Sequence, residues 1–121
     1  MEIKDNKIYL GNICVETLAK KYGTPLYVYE KDTIINKISL FKNAFKKIDN
    51  LKIYYAIKAN NNLSILNIIK SQNLGINAVS VEEAMTALKA GFSCDKIFFT
   101  GSNLTKEELK WLYKNKIKLN I

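Results

Sequence analysis

Short runs rich in β-branched and aromatic residues alternate along the chain with longer stretches whose apolar positions recur at helical spacing. Four of the short runs read as strands: Lys52-Ile-Tyr-Tyr-Ala56, Ile76-Asn-Ala-Val79, Lys96-Ile-Phe-Phe99 and Lys118-Leu-Asn-Ile121. They lie roughly twenty to twenty-five residues apart, the length of one short strand-helix unit, which favours a parallel sheet with crossover helices. Between the strands, Leu63 to Gln72 carries an apolar stripe of Leu63, Leu66 and Ile69, widened by Ile65 and Ile68. Ser80-Val-Glu-Glu83 and Thr105-Lys-Glu-Glu108 have the form of capping boxes, in which a hydroxyl and a carboxylate satisfy first-turn amides. They predict helices to about Ala90, stopped by Gly91, and to about Lys114.

Ahead of the first of these strands, the pattern predicts a short strand at Ile8 to Leu10, a helix from about Val15 to Tyr22 and an extended run from Pro25 to Tyr29. A long helix capped by Asp32 then runs to about Phe45. Gly23-Thr-Pro25 breaks the helical pattern, because the residue before proline is pushed out of the α region. If the parallel sheet closes as a (β/α)8 barrel of the TIM type, a complete domain needs about 250 residues, so this stretch holds about the first half. The expectation is therefore an α/β fold, a partial barrel over residues 31–121, with residues 1–30 as its strand-and-helix lead-in. The chain reads as a truncated piece of a longer protein.

Composition narrows the function more than the fold. The 121 residues are 48% hydrophobic and 25% charged, a globular balance. No run approaches the roughly 18 apolar residues of a membrane span, and the start lacks the apolar core of a secretion signal, so the expected place is the cytoplasm. The formal charge of +8 invites a nucleic-acid reading. All nineteen basic residues are lysine, however, and they are scattered through every segment, without the arginine forks that base readout favours. Neither nucleic acid nor membrane is an expected partner. Cys14 and Cys94 stand far apart without metal-ligand spacing and read as reduced packing residues, so no metal site is expected.

The candidate chemistry lies at Lys58, two residues past the strand that ends at Ala56. Reacting groups of a barrel come from the C-terminal ends of its strands, and partial burial there would favour the neutral amine that attacks an aldehyde. Position alone also allows Lys58 to be one more surface lysine.

Tyr55-Ala-Ile-Lys-Ala-Asn60 resembles the lysine motif of the alanine-racemase-like barrel decarboxylases, in which that lysine is joined to pyridoxal 5'-phosphate. Gly23-Thr-Pro-Leu-Tyr-Val-Tyr29 is similar to the N-terminal signature of the diaminopimelate-decarboxylase branch. Ala78-Val-Ser80 through Gly91 and Ile97-Phe-Phe-Thr-Gly101 through Leu109 resemble the next two units in order and spacing. The resemblance implies Lys58 as the catalytic and cofactor-holding residue, with Ala56, Asn77 and Ser80 as further cofactor-side positions. It implies a small amino-acid substrate, meso-diaminopimelate decarboxylated to L-lysine, with carboxynorspermidine, ornithine or arginine as the alternatives. A non-catalytic remnant is the reading from another class.

Two features depart from the family pattern. Asn77 stands where the family often has an aspartate, and Ser80 is followed by Val-Glu-Glu where two glycines and a glutamate are usual. For Ser80, helix capping is a sufficient alternative role. The family's cofactor-stacking histidine and substrate-gripping arginine have no counterpart in a chain that lacks both residue types, and its glycine-rich phosphate loop and C-terminal β domain are likewise missing. The resemblance thus implies a homodimer for the longer protein and an inactive isolated stretch.

Overall fold

The computed structural model describes residues 1–120 and forms two compact units, Met1–Leu40 and Phe41–Ile121. In the first, β1 (Glu2–Lys4), β2 (Lys7–Leu10) and β3 (Ile13–Cys14) make a small antiparallel sheet in that order. Ile3 opposes Ile8, and Leu10 opposes Ile13. Two-residue turns close both hairpins. Asp5 and Asn6 adopt positive φ (49° and 60°), as the favoured hairpin turn requires, and Gly11 does the same at 58°. The sequence pattern predicts β2 but not its two partners, whose only signals are these Asp-Asn and Gly-Asn turns.

Helix α1 (Val15–Tyr22) has the expected bounds and ends at Gly23, whose positive φ (80°) lets its amide reach the Ala19 carbonyl at 2.8 Å. Helix α2 spans Lys31–Ala44. Asp32 does not cap it. The Glu30 carbonyl accepts the first helical bond, from the Ile34 amide, and the Glu30 carboxylate accepts from the Thr33 hydroxyl, so the cap lies two residues earlier. Asp32 sits inside the first turn, where its charge still opposes the positive helix end.

The second unit carries the parallel sheet. Strands β4 (Tyr54–Ala56), β5 (Gly75–Ala78), β6 (Ile97–Phe99) and β7 (Lys118–Leu119) pair in sequence order, each parallel to the next. Ile121, the expected end of the last strand, lies outside the described residues. Crossovers run through α3 (Leu63–Ser71), α4 (Val81–Lys89) and α5 (Lys106–Lys114). Right-handed crossovers place successive helices on one face of such a sheet. The alternation along each strand agrees: Ile76, Ala78, Ile97 and Phe99 are fully buried, together with Leu66, Ala84, Ala87 and Leu112 of the helices. The other face carries Tyr54, Ala56, Asn77 and Phe98, all only half-buried. Parallel sheets are ordinarily covered on both faces, and the interior of a barrel is the second covering that this geometry suits. The unit is the first part of such a barrel.

Two expected details change. Leu63, placed on the buried stripe of α3, is the helix's first residue and is 42% exposed; Ile65, Leu66 and Ile69 form the buried face. The Thr105 box is reciprocal as expected, but at Ser80 only half of the box forms. Ser80 Oγ accepts from the Glu83 amide at 3.2 Å, while the Glu83 carboxylate reaches past Ser80 to the Val79 amide at 2.8 Å.

Candidate active site

Strand β4 leads directly into a single turn of 3₁₀ helix, Ile57–Ala59, with Lys58 at its centre. Ile57 is fully buried and anchors the turn against β5 and α4. The segment between this turn and α3 is held by a chain of hydrogen bonds. The Asn60 amide donates to the Ile57 carbonyl at 3.1 Å, and the Tyr55 hydroxyl donates to the Asn60 carbonyl at 3.2 Å. Asn60 Oδ1 accepts from the Asn62 amide, and Asn62 Oδ1 caps α3 by accepting from the Ser64 amide, both at 2.9 Å. Asparagine suits both places because its short side chain can accept from an amide two residues on. The Tyr55-to-Asn60 motif thus acts as a brace that fixes where the Lys58 backbone stands.

The Lys58 side chain itself is exposed. The partial burial expected from sequence is not found among the described residues, where the sheet face beside it is only half-buried. Among those residues, no carboxylate lies within ion-pair distance of its amine.

Ala56, Asn77 and Phe98 lie side by side in register across β4, β5 and β6. Ala56 and Asn77 are therefore brought together, with Lys58 two residues further along the same strand direction. Asn77 Oδ1 accepts a hydrogen bond from the Thr100 hydroxyl at 2.8 Å. Thr100 is held just past β6 by its amide, which donates to the Ala78 carbonyl at 2.9 Å. Ser80 is not part of this group: its hydroxyl is engaged as the N-cap of α4. Sequence reasoning passes over Thr100. The available signal is a hydroxyl ending an otherwise apolar strand, Ile97-Phe-Phe-Thr100, on the same side of the alternation as Phe98.

Chemically, the C-terminal edge offers an accessible primary amine on a braced turn. Beside it is a face of small and aromatic side chains, Ala56 and Phe98, with one amide-hydroxyl pair. A planar aldehyde cofactor fits that donor set: the amine would condense with the aldehyde, and Ala56 and Phe98 would offer its ring an apolar surface.

Residues 31–121 match the family described as pyridoxal-dependent decarboxylase, pyridoxal binding domain. Over its full length the chain is 35% identical to the diaminopimelate decarboxylase of Methanothermobacter thermautotrophicus, of which it covers 29%. It is 42% identical to that of Campylobacter jejuni over 77% of this chain and 23% of the relative. Among solved structures, diaminopimelate decarboxylase from M. jannaschii in co-complex with L-lysine superposes on 99% of this chain with a TM-score of 0.92. The two are 32% identical, and the match covers 29% of that chain. The chain belongs to the pyridoxal-binding domain family of the pyridoxal-dependent amino-acid decarboxylases, which are lyases. It spans less than a third of the length of these relatives.

Proposed function

We propose that the chain is the lysine-bearing part of a pyridoxal-phosphate-dependent decarboxylase acting on meso-diaminopimelate and releasing L-lysine, with Lys58 as the residue joined to the cofactor. Residues 31–121 supply the first strand-helix units of the cofactor-binding barrel and residues 1–30 its lead-in, and the longer protein works as a homodimer. The observation that carries the reading is the position of Lys58: a primary amine at the C-terminal edge of a parallel sheet, on a turn braced by Ile57, Tyr55 and Asn60. The family match and the diaminopimelate decarboxylases that align with the whole chain support the substrate.

When bound, the cofactor supplies an electron sink for the pair left behind as carbon dioxide departs. The chain contributes placement. The braced turn fixes the backbone that carries the amine, Ala56 leaves room beside it, and Phe98 and Asn77 present one apolar and one polar surface on the same face. The test is borohydride reduction of the pyridoxal-phosphate-treated protein followed by peptide mapping. The phosphopyridoxyl group is expected on the peptide containing Lys58. Stable labelling of another lysine with Lys58 untouched overturns the assignment.

A further inference from the structure

The C-terminal edge contains one polar pair, Asn77 and Thr100, of which Thr100 has been given no role. Asn77 alternates with the fully buried Ile76 and Ala78, so its side chain lies on the face away from the helices. Thr100 comes after the fully buried Phe99 and shares that face. Each hangs from a fixed backbone: Asn77 is inside the β4–β5–β6 ladder, and the Thr100 amide is bonded to the Ala78 carbonyl. Gly101 tightens the corner further, since a Cβ there would come within 2.6 Å of the Val79 carbonyl oxygen and 2.5 Å of the Phe99 ring. The chain after Thr100 must therefore run close over β5, which keeps the hydroxyl against Asn77.

An asparagine amide has one acceptor oxygen and one nitrogen with two donor hydrogens, and its orientation is set by what it bonds. Here the 2.8 Å contact is donated by the Thr100 hydroxyl to Oδ1. That contact engages the oxygen and leaves the two hydrogens of the nitrogen for another acceptor.

We propose that Thr100 is a positioning residue for the Lys58 site: by clamping Asn77 Oδ1, it turns the Asn77 amide nitrogen outward as a donor for an anionic oxygen of the bound cofactor or amino acid. This rests on the proposed decarboxylase function for the identity of the ligand, but not for the existence of the clamp. The position is neutral and donating, so it recognises an acceptor oxygen without adding a negative charge beside the Lys58 amine. A threonine hydroxyl also costs little to order, having a single rotor, so the clamp is preformed before any ligand arrives.

The experiment monitors the Asn77 side-chain amide by ¹⁵N NMR in the 121-residue chain, with pyridoxal phosphate and L-lysine as the probes, in wild type, Thr100→Val, Thr100→Ser and Lys58→Ala. In wild type and Thr100→Ser, the Asn77 side-chain amide should give the same pair of signals, and in Thr100→Val they should move. Titration with pyridoxal phosphate, or with L-lysine after it, should shift the pair, and the step at which it moves identifies the source of the oxygen. The half-saturating concentration should rise roughly three- to tenfold in Thr100→Val, the loss of about one hydrogen bond, and return in Thr100→Ser. The proposal is overturned if Thr100→Val leaves the Asn77 signals in place, or if neither probe moves them in the wild type. Equal binding by Thr100→Val and wild type also overturns it. Failure of the Lys58 reading looks different: phosphopyridoxyl incorporation is then unchanged in Lys58→Ala, while the Asn77 responses stand.

Discussion

Tyr54 and Phe98 stand on strands that do not pair with each other, yet their ring centroids are 5.5 Å apart across the intervening β5. Gly75 makes this contact possible. It registers beside Tyr54, and a Cβ there would lie 2.5 Å from the Tyr54 ring and 2.8 Å from the Lys96 carbonyl oxygen. The rings meet at a separation typical of favourable aromatic pairs, and they cover the middle of the half-buried face that leads to the site.

Gly75→Ala should therefore lower stability by about 2 kcal/mol, because one of the two obstacles is backbone that cannot swing away. Chemical denaturation of wild type, Gly75→Ala, Tyr54→Ala and the double variant checks it. The cost of Gly75→Ala should shrink in the Tyr54→Ala background but persist, since the Lys96 carbonyl remains. A Gly75→Ala chain as stable as wild type would show that the strands separate easily here.

Much of the second unit is legible in the sequence because strand and helix periods differ and α4 and α5 announce their starts through Ser80 and Thr105. Thr105-Lys-Glu-Glu108 closes a reciprocal box there, and in the first unit α1 begins and ends where the pattern places it. The misses share a cause. The hairpins of β1 to β3 are built on turn residues rather than on long apolar runs, and Asp32 is the better cap by residue type, whereas the backbone carbonyl that accepts the first helical bond belongs to Glu30. At the site, the motif places Lys58 and Ala56 at a strand end, but three further facts depend on register and packing. These are the Asn77–Thr100 bond, the engagement of Ser80 as a cap and the exposure of Lys58. Residues 77 and 100 are far apart in sequence, and only the parallel pairing of β5 with β6 makes them neighbours.

The caps give a pH-dependent test. Glu108 is held below its ordinary value by the Thr105 amide first and the Thr105 hydroxyl second, both donated to its carboxylate. A lowered carboxylate stabilises the fold above its unfolded value, and that contribution is lost as pH falls through the folded one. Thr105→Ala should cost about 1 kcal/mol near neutrality. The gap between it and wild type in thermal melts should narrow on acidification, as the carboxylate half of the box is lost from the wild type as well. Ser80→Ala should also cost about 1 kcal/mol, and it should leave attachment of pyridoxal phosphate at Lys58 unchanged. A Ser80→Ala chain of normal stability but weaker cofactor binding would reverse the role assigned to that hydroxyl.

Tyr55→Phe tests the brace. It removes the hydroxyl that donates to the Asn60 carbonyl and keeps the ring, so the expected stability loss is modest, about 1 kcal/mol. The sharper expectation is local. Amide hydrogen exchange at residues 58–62 should accelerate well beyond that of the α3 core, because the carbonyl that ties the turn down has lost a partner. A uniform change along the chain would mean that the hydroxyl contributes to global stability and does not brace Lys58.

The 121-residue chain, made alone, should release no carbon dioxide from meso-diaminopimelate above the rate given by free pyridoxal phosphate, although it carries Lys58. Accessible amines condense with aldehydes, so some attachment is expected; turnover needs more. Among the described residues, β4 and β7 each pair on one side only, and the face bearing Ala56, Asn77 and Phe98 is only half-buried. Water therefore reaches the Lys58 amine and the groups beside it, and charge stabilisation in a wet site is weak. The sequence holds no arginine with which to grip carboxylates in a two-pronged fashion and no histidine to stack or to shuttle a proton near neutrality. Orientation of the departing carboxylate should thus fail together with retention of the cofactor, so the deficit should persist at saturating pyridoxal phosphate. Carbon dioxide release would be compared for the chain alone, for Lys58→Ala, and for the chain mixed with the remaining barrel and β domain of a relative. Activity in the mixture but not in its Lys58→Ala counterpart is the expected result. Activity of the isolated chain above the free-cofactor rate would mean that the described edge suffices for the reaction.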